Sequence, residues 1–196
     1  MQKFLQKHKQ KIVVISWITI AKIVITLIII LGAAYFMEPK PANDLTITVV
    51  GNADISTPAD FNVTRYMGLW HEVARYNQTF ETDCECVTAN YTLFTAYVAV
   101  QNSCVKNNQL SVANAKAYTT NVPGVLNVQF VPLINGDYRV VYVDANYENA
   151  IVSNQAQTSL WFLSRNPSTE SLNNLLTIAK SKHFDTSKLY FTKGCN

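Results

Sequence analysis

The sequence predicts an all-β domain with one helix near its C-terminal end and an apolar segment at its N-terminal end. From residue 61 onward, short runs of β-forming residues alternate with turn residues. Regularly spaced short strands of this kind are typical of a sandwich or a barrel. One later stretch has the apolar spacing of a helix instead, and a last short strand follows it.

Eight strands are predicted before the helix. Residues 125–132 show the pattern most clearly, because Leu126, Val128 and Phe130 alternate with polar residues and so share one face of a strand. Asn135-Gly136 is typical of a tight hairpin turn and separates this strand from the next. The predicted strands span residues 69–76, 86–94, 97–104, 110–119, 125–132, 138–143, 150–153 and 159–164.

The helix is predicted over residues 168–182. Ser168 is a suitable N-cap for it, and Glu170 places a negative charge in its first turn, where the helix dipole favours one. The spacing i, i+3, i+4, i+7 gives this helix one apolar face, formed by Leu172, Leu175, Leu176 and Ala179. A ninth short strand is predicted over residues 189–192.

The N-terminal segment has two interpretations that the sequence leaves open. Residues 12–37 are long and apolar enough to cross a bilayer as one helix, although Lys22 near the centre would cost about 2.5–3.5 kcal/mol. Alternatively, residues 23–31 are the apolar core of a signal peptide, which is cleaved near the small residues 32–34. In both cases the basic flank stays in the cytoplasm, and residue 45 onward lies on the extracytoplasmic (periplasmic or extracellular) side.

The chain therefore divides into three predicted regions. Residues 1–37 are a signal-anchor or signal peptide, residues 38–57 are a linker, and residues 58–196 are the folded domain. We expect the protein to be membrane-anchored or secreted. No cysteine precedes Cys84, so a lipid anchor of the bacterial lipoprotein type has no attachment point.

Composition argues against two classes of partner. The net charge of +3 depends on five lysines among residues 1–37, and no basic patch interleaved with aromatic residues follows, so nucleic-acid binding is not expected. The three histidines, His8, His71 and His183, lack metal-ligand spacing, so we expect neither a metal nor another cofactor. An even number of cysteines in an exported domain predicts two disulfides among Cys84, Cys86, Cys104 and Cys195.

Three motifs in order resemble the lipocalin family. The segment 60–75 contains Gly68-Leu69-Trp70-His71-Glu72, which is closest to the bacterial lipocalin and apolipoprotein D branch. Residues 143–152 resemble the second family motif, although the stretch is longer than usual, and residues 160–167 resemble the third. The resemblance covers residues 58–193 and implies an eight-stranded antiparallel up-and-down β-barrel that holds a small hydrophobic ligand.

The resemblance also implies structural roles for Gly68, Trp70 and Arg165. In the family the arginine packs on the tryptophan and closes one end of the barrel, a cation–π contact worth roughly 0.5–2 kcal/mol. Strand alternation from these anchors predicts that Glu72 and Ala74 face the interior. The resemblance implies that Tyr91 and Trp161 line the pocket, and alternation then adds Ala89 beside Tyr91. The predicted ligand-facing set is Ala89, Tyr91, Val128, Phe130, Tyr138, Val140, Tyr142, Trp161 and Leu163.

The expected function is binding and transport or storage of a fatty acid or lysophospholipid-like ligand at the cell envelope, without catalysis. A catalytic thiol would require a free cysteine, and no Ser-His-Asp constellation is evident. Two alternatives stay open: a lipocalin-fold enzyme that acts on a lipid or isoprenoid, and a structural envelope protein whose barrel is packed solid.

Disulfide pairing is not determined by the residues alone, because Cys104 lies opposite residues 84–86 in the predicted hairpin. The resemblance implies a choice. Cys86 matches the apolipoprotein D cysteine that pairs with the C-terminal tail, here Cys195. Cys84 matches the cysteine of several bacterial lipocalins that pairs with the end of the next strand, here Cys104.

Overall fold

The computed structural model describes residues 53–194. The predicted N-terminal region 1–37, most of the linker 38–57 and Cys195 lie outside the described residues. Within residues 53–194, no helix combines the length and the apolar character needed to cross a membrane.

An antiparallel sheet closes on itself to form the barrel. Its first strand pairs with both the second and the eighth, so the eight strands have no free edge, and a short ninth strand pairs with the end of the first. The predicted fold class is confirmed. The strands are β1 (Gly68–Tyr76), β2 (Glu85–Leu93), β3 (Val98–Lys106), β4 (Gln109–Thr119), β5 (Val125–Val131), β6 (Ile134–Val143), β7 (Asn149–Ser153), β8 (Leu160–Ser164) and β9 (Leu189–Phe191).

Within the described residues, two α-helices flank the strands. The one-turn helix α1 (Val63–Tyr66) precedes β1, and Asn62 caps it through its side-chain oxygen. The longer helix α2 (Thr169–Ser181) begins at a capping box, in which the side chains of Ser168 and Ser171 each accept a hydrogen bond from the other's backbone N–H. Both helices therefore start where a small polar side chain satisfies backbone donors.

Two apolar cores result, one inside the barrel and one between the barrel and α2. In the outer core, Leu175 and Ala179 of α2 are fully buried with Ile151 and Phe162 of the barrel. Both cores and all nine strands lie within one compact unit, Val49–Asn196. A compact unit with its own cores can fold as an independent domain.

The predicted turn at Asn135-Gly136 is wrong. Val131 pairs with Ile134, so the hairpin turns at the two residues between them, and Gly136 lies within β6 opposite Val128. Proline presets the backbone angle that the first turn position needs, and Pro132 occupies that position here. The strand predicted to start at residue 138 consequently begins four residues earlier.

Two β-bulges reverse the predicted direction of two side chains. An extra residue lies between Glu72 and Ala74 of β1, and another between Val140 and Tyr142 of β6. Beyond each bulge the two-residue alternation restarts on the opposite face. The inward placements of Ala74 and Tyr142 are therefore wrong, since both residues pack in the outer core with α2.

The pairing of Cys84 with Cys104 is confirmed, with a Cα–Cα distance of 5.4 Å. The other predicted pair, Cys86 with Cys195, ends outside the described residues and stays a prediction. The backbone N–H of Cys86 donates to the carbonyl of Lys193 at 2.8 Å, which holds the C-terminal segment beside Cys86 up to two residues before Cys195.

Candidate ligand-binding cavity

The barrel encloses a cavity of about 390 Å³. This volume lies within the range of small-molecule sites, about 300–1,000 Å³. At one end the lining residues Phe80, Phe130 and Ile134 are exposed, and the cavity opens there, beside the β1–β2 loop and the β5–β6 hairpin. At the other end α1 and the start of β1 close it. The cavity is thus a one-ended pocket.

Trp70 and Arg165 hold the closed end together. Trp70 is fully buried, and the Arg165 guanidinium lies 3.8 Å from the centre of its ring. The same guanidinium donates to the carbonyl oxygens of Leu69 and Met67, each at 2.6 Å. The side chain therefore binds the backbone of the turn into β1 as well as the indole face.

Gly68 makes this arrangement possible. Its φ of +93° lies in the region that favours glycine, and a Cβ at this position would lie 3.2 Å from Nη1 of Arg165. Any other residue would strain the backbone and crowd the guanidinium. The three residues that the family resemblance implies as structural, Gly68, Trp70 and Arg165, thus form one contact group.

Three tyrosine hydroxyls meet near the closed end of the cavity. The hydroxyl of Tyr138 lies 2.8 Å from that of Tyr66 and 2.9 Å from that of Tyr91. Burial raises the pKa of Tyr91 to about 12, and it raises the pKa values of Tyr66 and Tyr138 well above 10. All three phenols therefore stay protonated throughout the physiological pH range.

The wall between the two ends is mainly apolar. Seven residues of the predicted ligand-facing set line the cavity: Ala89, Tyr91, Val128, Phe130, Tyr138, Trp161 and Leu163. Val140 is fully buried inside the barrel but is not part of the lining, and Tyr142 faces α2. That the seven residues contact a ligand stays a prediction.

A buried charge cluster lies toward the open end. Arg75 donates to the Glu72 carboxylate at 2.6 Å, and its Nε lies 3.6 Å from the carboxylate of Glu81. Thr192 also donates to Glu72. Trp161 Nε1 donates to Glu81 at 3.2 Å, which connects the β1–β2 loop to the cavity wall.

Both carboxyl groups of this cluster titrate abnormally. Burial raises the pKa of Glu81 to about 7, and the nearby Glu72 carboxylate adds to the rise, while Trp161 and Arg75 oppose it. Burial also raises the pKa of Glu72, against the hydrogen bonds and charge supplied by Thr192 and Arg75. Near neutral pH, Glu81 therefore exchanges a proton at the mouth of the cavity.

Three residues of the cavity and its charge cluster were not among the site residues predicted from the sequence. Arg75 faces the interior only because the β1 bulge shifts the alternation. Glu81 lies in the one-turn 3-10 helix Thr79–Glu81 of the β1–β2 loop, which is too short for any periodicity to indicate direction. Tyr66 lies in the opening motif two residues before Gly68, but only its contact with Tyr138 identifies it as part of the cavity.

The cavity lining has an uneven charge distribution. Among the described residues, Glu72, Glu81 and Asp137 contribute carboxyl groups to it, and the lining contains no lysine, arginine or histidine. No group of three or more histidine, cysteine or acidic residues within 53–194 is arranged to hold a metal ion. The chemistry available to a ligand is therefore apolar contact, hydrogen bonds with phenols, aliphatic hydroxyls and amides, and contact with carboxyl groups.

Comparisons with known proteins agree in both sequence and fold. The sequence model of the Lipocalin-like domain matches residues 61–194. The outer membrane lipoprotein Blc of Escherichia coli K12 is 32% identical over 161 residues, which cover 79% of this chain and 86% of the relative. Temperature-induced lipocalin-1 of Arabidopsis thaliana is 32% identical over 145 residues, 67% of this chain and 78% of that protein.

Solved structures share the same architecture. Insecticyanin from the tobacco hornworm Manduca sexta superposes with a TM-score of 0.57 at 20% identity, over 73% of this chain and 86% of that one. Lobster apocrustacyanin A1 also gives 0.57, at 17% identity over 69% and 81% of the two chains. At these identities the similarity supports the fold, and the ligand has to be argued from this cavity.

Proposed function

The chain belongs to the lipocalin family, and from this we propose that its barrel binds a long-chain acyl ligand, a fatty acid or a lysophospholipid-like molecule, for transport or storage at the cell envelope. The observation that carries the proposal is the cavity itself: about 390 Å³, open at one end, and walled mainly by aliphatic and aromatic side chains. Such a site buries an acyl chain by the hydrophobic effect, at roughly 25 cal/mol per Å² of apolar surface removed from water.

The cavity argues against the structural-protein alternative, because a barrel that served only as a scaffold would be packed solid. One observation favours the enzyme alternative. Glu81 lines the cavity and has a pKa of about 7, the property of a general acid or base. We nevertheless propose a binding protein, since Trp161 and Arg75 hold the Glu81 carboxylate in structural contacts.

Lipid extraction of the purified domain, followed by mass spectrometry, tests the function. A stoichiometric long-chain lipid supports a carrier and identifies its class. Turnover of an isomerisable or epoxide-bearing lipid, lost in Glu81→Gln, would replace the proposal with the enzyme. An empty domain that also takes up no added lipid would reject binding altogether.

We further propose that the barrel functions outside the cytoplasm. The Cys84–Cys104 disulfide is typical of oxidising compartments, and one of the relatives named above is an outer membrane lipoprotein. Alkaline phosphatase fused after residue 50 should therefore be active, because the basic flank keeps the N-terminus inside. An inactive fusion would overturn this topology.

A further inference from the structure

We propose that the closed end of the cavity is a hydrogen-bond donor site for a neutral oxygen atom of the ligand: a hydroxyl, a carbonyl or a protonated carboxyl group. The ligand then enters with its oxygen first and leaves its hydrocarbon chain toward the mouth. This inference rests on the proposed function and narrows it by naming the chemical class and the orientation of the ligand in that same cavity. Of the two classes proposed there, a fatty acid fits this orientation in its protonated form, whereas a lysophospholipid, whose headgroup is charged, does not.

The three tyrosine hydroxyls carry one more proton than their mutual hydrogen bonds use. Tyr66, Tyr91 and Tyr138 carry three O–H protons between them, and their hydroxyls make two mutual hydrogen bonds. Each hydrogen bond uses one proton, whichever atom donates. One proton is therefore left over, and the hydrogen bonds within residues 53–194 give it no other acceptor.

The remaining proton lies in a buried and mainly apolar environment. All three tyrosines line the cavity, and they pack in a core cluster with apolar residues such as Val98 and Leu126. A buried donor without an acceptor costs about 1–3 kcal/mol in mutational series. A pure hydrocarbon at this position would leave the donor unpaired, whereas a ligand oxygen would satisfy it.

The charges of the cavity lining favour a neutral ligand oxygen over an anionic one. The cavity lining within the described residues has no cationic side chain, and Glu72, Glu81 and Asp137 add acidic groups to it. Arg165 lies against the Trp70 ring and does not line the cavity, and its guanidinium donates to backbone carbonyls. An ionised carboxylate would therefore lose its hydration without gaining a cation, which is costly in an apolar site. A neutral oxygen avoids this cost.

The test uses residues 45–196, which include the compact unit Val49–Asn196. The fluorescent probe N-phenyl-1-naphthylamine is bound first, and 1-dodecanol, tridecane and, at pH 8, dodecanoate are each added as competitors. We expect dodecanoate to compete with the wild type more weakly than 1-dodecanol does. The triple variant Tyr66→Phe, Tyr91→Phe, Tyr138→Phe removes every donor and keeps the rings, a change that should leave the fold intact because all partners become apolar together. We expect it to bind 1-dodecanol roughly three- to tenfold more weakly, with tridecane affinity unchanged or higher.

Two further variants sharpen the result. Tyr91→Phe leaves two hydroxyls with one mutual hydrogen bond, and hence still one spare proton, so it should keep most of the preference for the alcohol. Tyr142→Phe is the matched control: it removes a phenol from the same strand as Tyr138, but on the face toward α2. Tyr142→Phe should leave the affinities for 1-dodecanol and for tridecane unchanged.

Infrared spectroscopy of bound 2-tridecanone gives a readout that does not depend on the triple variant folding. A hydrogen bond lowers the carbonyl stretching frequency, so the wild-type domain should shift it below the value measured in a hydrocarbon solvent. An unshifted carbonyl, or an alcohol preference that persists in a folded triple variant, overturns the donor site. If no long-chain compound displaces the probe from the wild type, the proposed function itself fails, and the donor site fails with it.

Discussion

Glu81 lies in an unusual environment for a glutamate. Its carboxylate lies between the Trp161 indole N–H at 3.2 Å and the Arg75 guanidinium at 3.6 Å, yet burial and Glu72 still raise its pKa to about 7. A carboxyl group in the unfolded chain titrates near 4.3. Between these two values the folded protein keeps a proton that the unfolded protein has lost.

This difference predicts how stability depends on pH. Because the pKa of Glu81 is higher in the folded state, its contribution disfavours folding progressively as the pH rises from about 4.5 to about 7. We expect the free energy of unfolding to fall by roughly 1–3 kcal/mol across this window. Denaturant unfolding of the domain at pH 5 and pH 8 measures the change.

Glu81→Gln should make this decline smaller, because its amide does not titrate, while the raised pKa of Glu72 continues to contribute in the same direction. Glu170→Gln, which changes an exposed carboxyl group in the first turn of α2, is the control and should retain the decline. Equal declines in wild type and Glu81→Gln would mean that Glu81 titrates normally.

Trp70 and Trp161 lie on neighbouring strands and have different roles. Trp70 is fully buried under Arg165 and donates to the carbonyl of Tyr66 at 2.8 Å. Trp161 lines the cavity and remains partly exposed. One tryptophan closes the barrel, and the other forms its wall.

The strands and α2 were predicted from the sequence because local patterns determine where they lie. Each strand contains residues of its predicted counterpart, and α2 begins at the capping Ser168, because alternation, helical spacing and capping residues are local signals. The bulges at 72–74 and 140–142 depend on how neighbouring strands pair, which no local pattern encodes. They account for the misplacement of Ala74 and Tyr142.

The same distinction applies to the cavity. The predicted residues on regular strand segments, such as Ala89 and Tyr91 of β2, line the cavity. Tyr66, Arg75 and Glu81 were missed because their direction is fixed by α1, by a bulge and by a loop. The phenol cluster and the charge cluster arise only from contacts between residues distant in sequence, so tertiary structure is needed to find them.

The observed disulfide and the predicted one involve different elements of the fold. Cys84–Cys104 joins the start of the β2–β3 hairpin to its far strand. Cys86–Cys195 would fasten the C-terminal segment to β2 and close a loop of more than a hundred residues, worth roughly 4–5 kcal/mol in the chain-entropy model. The ion pair of Lys193 with Glu85 at 2.6 Å holds the same segment beside β2.

Peptide mapping without reduction tests this pairing. We expect one peptide that links Cys84 to Cys104 and another that links Cys86 to Cys195. Mapping of the reduced protein provides the control, since both linked peptides should then disappear. A peptide that links Cys84 to Cys195, or a free thiol in the mature protein, would contradict the assignment.

At the scale of the whole molecule, the barrel has two chemically different ends. The closed end combines the Trp70–Arg165 contact with three protonated phenols. The open end combines buried acidic groups with exposed apolar side chains, among them Phe80, Phe130 and Ile134. A ligand can therefore enter from one side only, and the two ends impose different requirements on its chemistry.

We expect a long-chain ligand to bind inside this barrel, beside Trp161. Residues 45–196 contain two tryptophans, Trp70 and Trp161, so their fluorescence reports binding directly. Titration with a fluorescent fatty acid at pH 5 and pH 7 should quench the emission with micromolar or tighter affinity. Trp161→Ala should weaken binding by about tenfold, or ~1.4 kcal/mol, and it should weaken binding more than it weakens folding.

Trp70→Ala is the matched variant, and its effects should be the reverse. It should lower the free energy of unfolding by about 3–5 kcal/mol. Its effect on the ligand affinity of the protein that remains folded should be smaller. Competition by an unlabelled long-chain lipid should restore the wild-type emission. If no long-chain lipid perturbs that emission, or if Trp161→Ala binds as tightly as wild type, the ligand does not occupy the barrel as we claim.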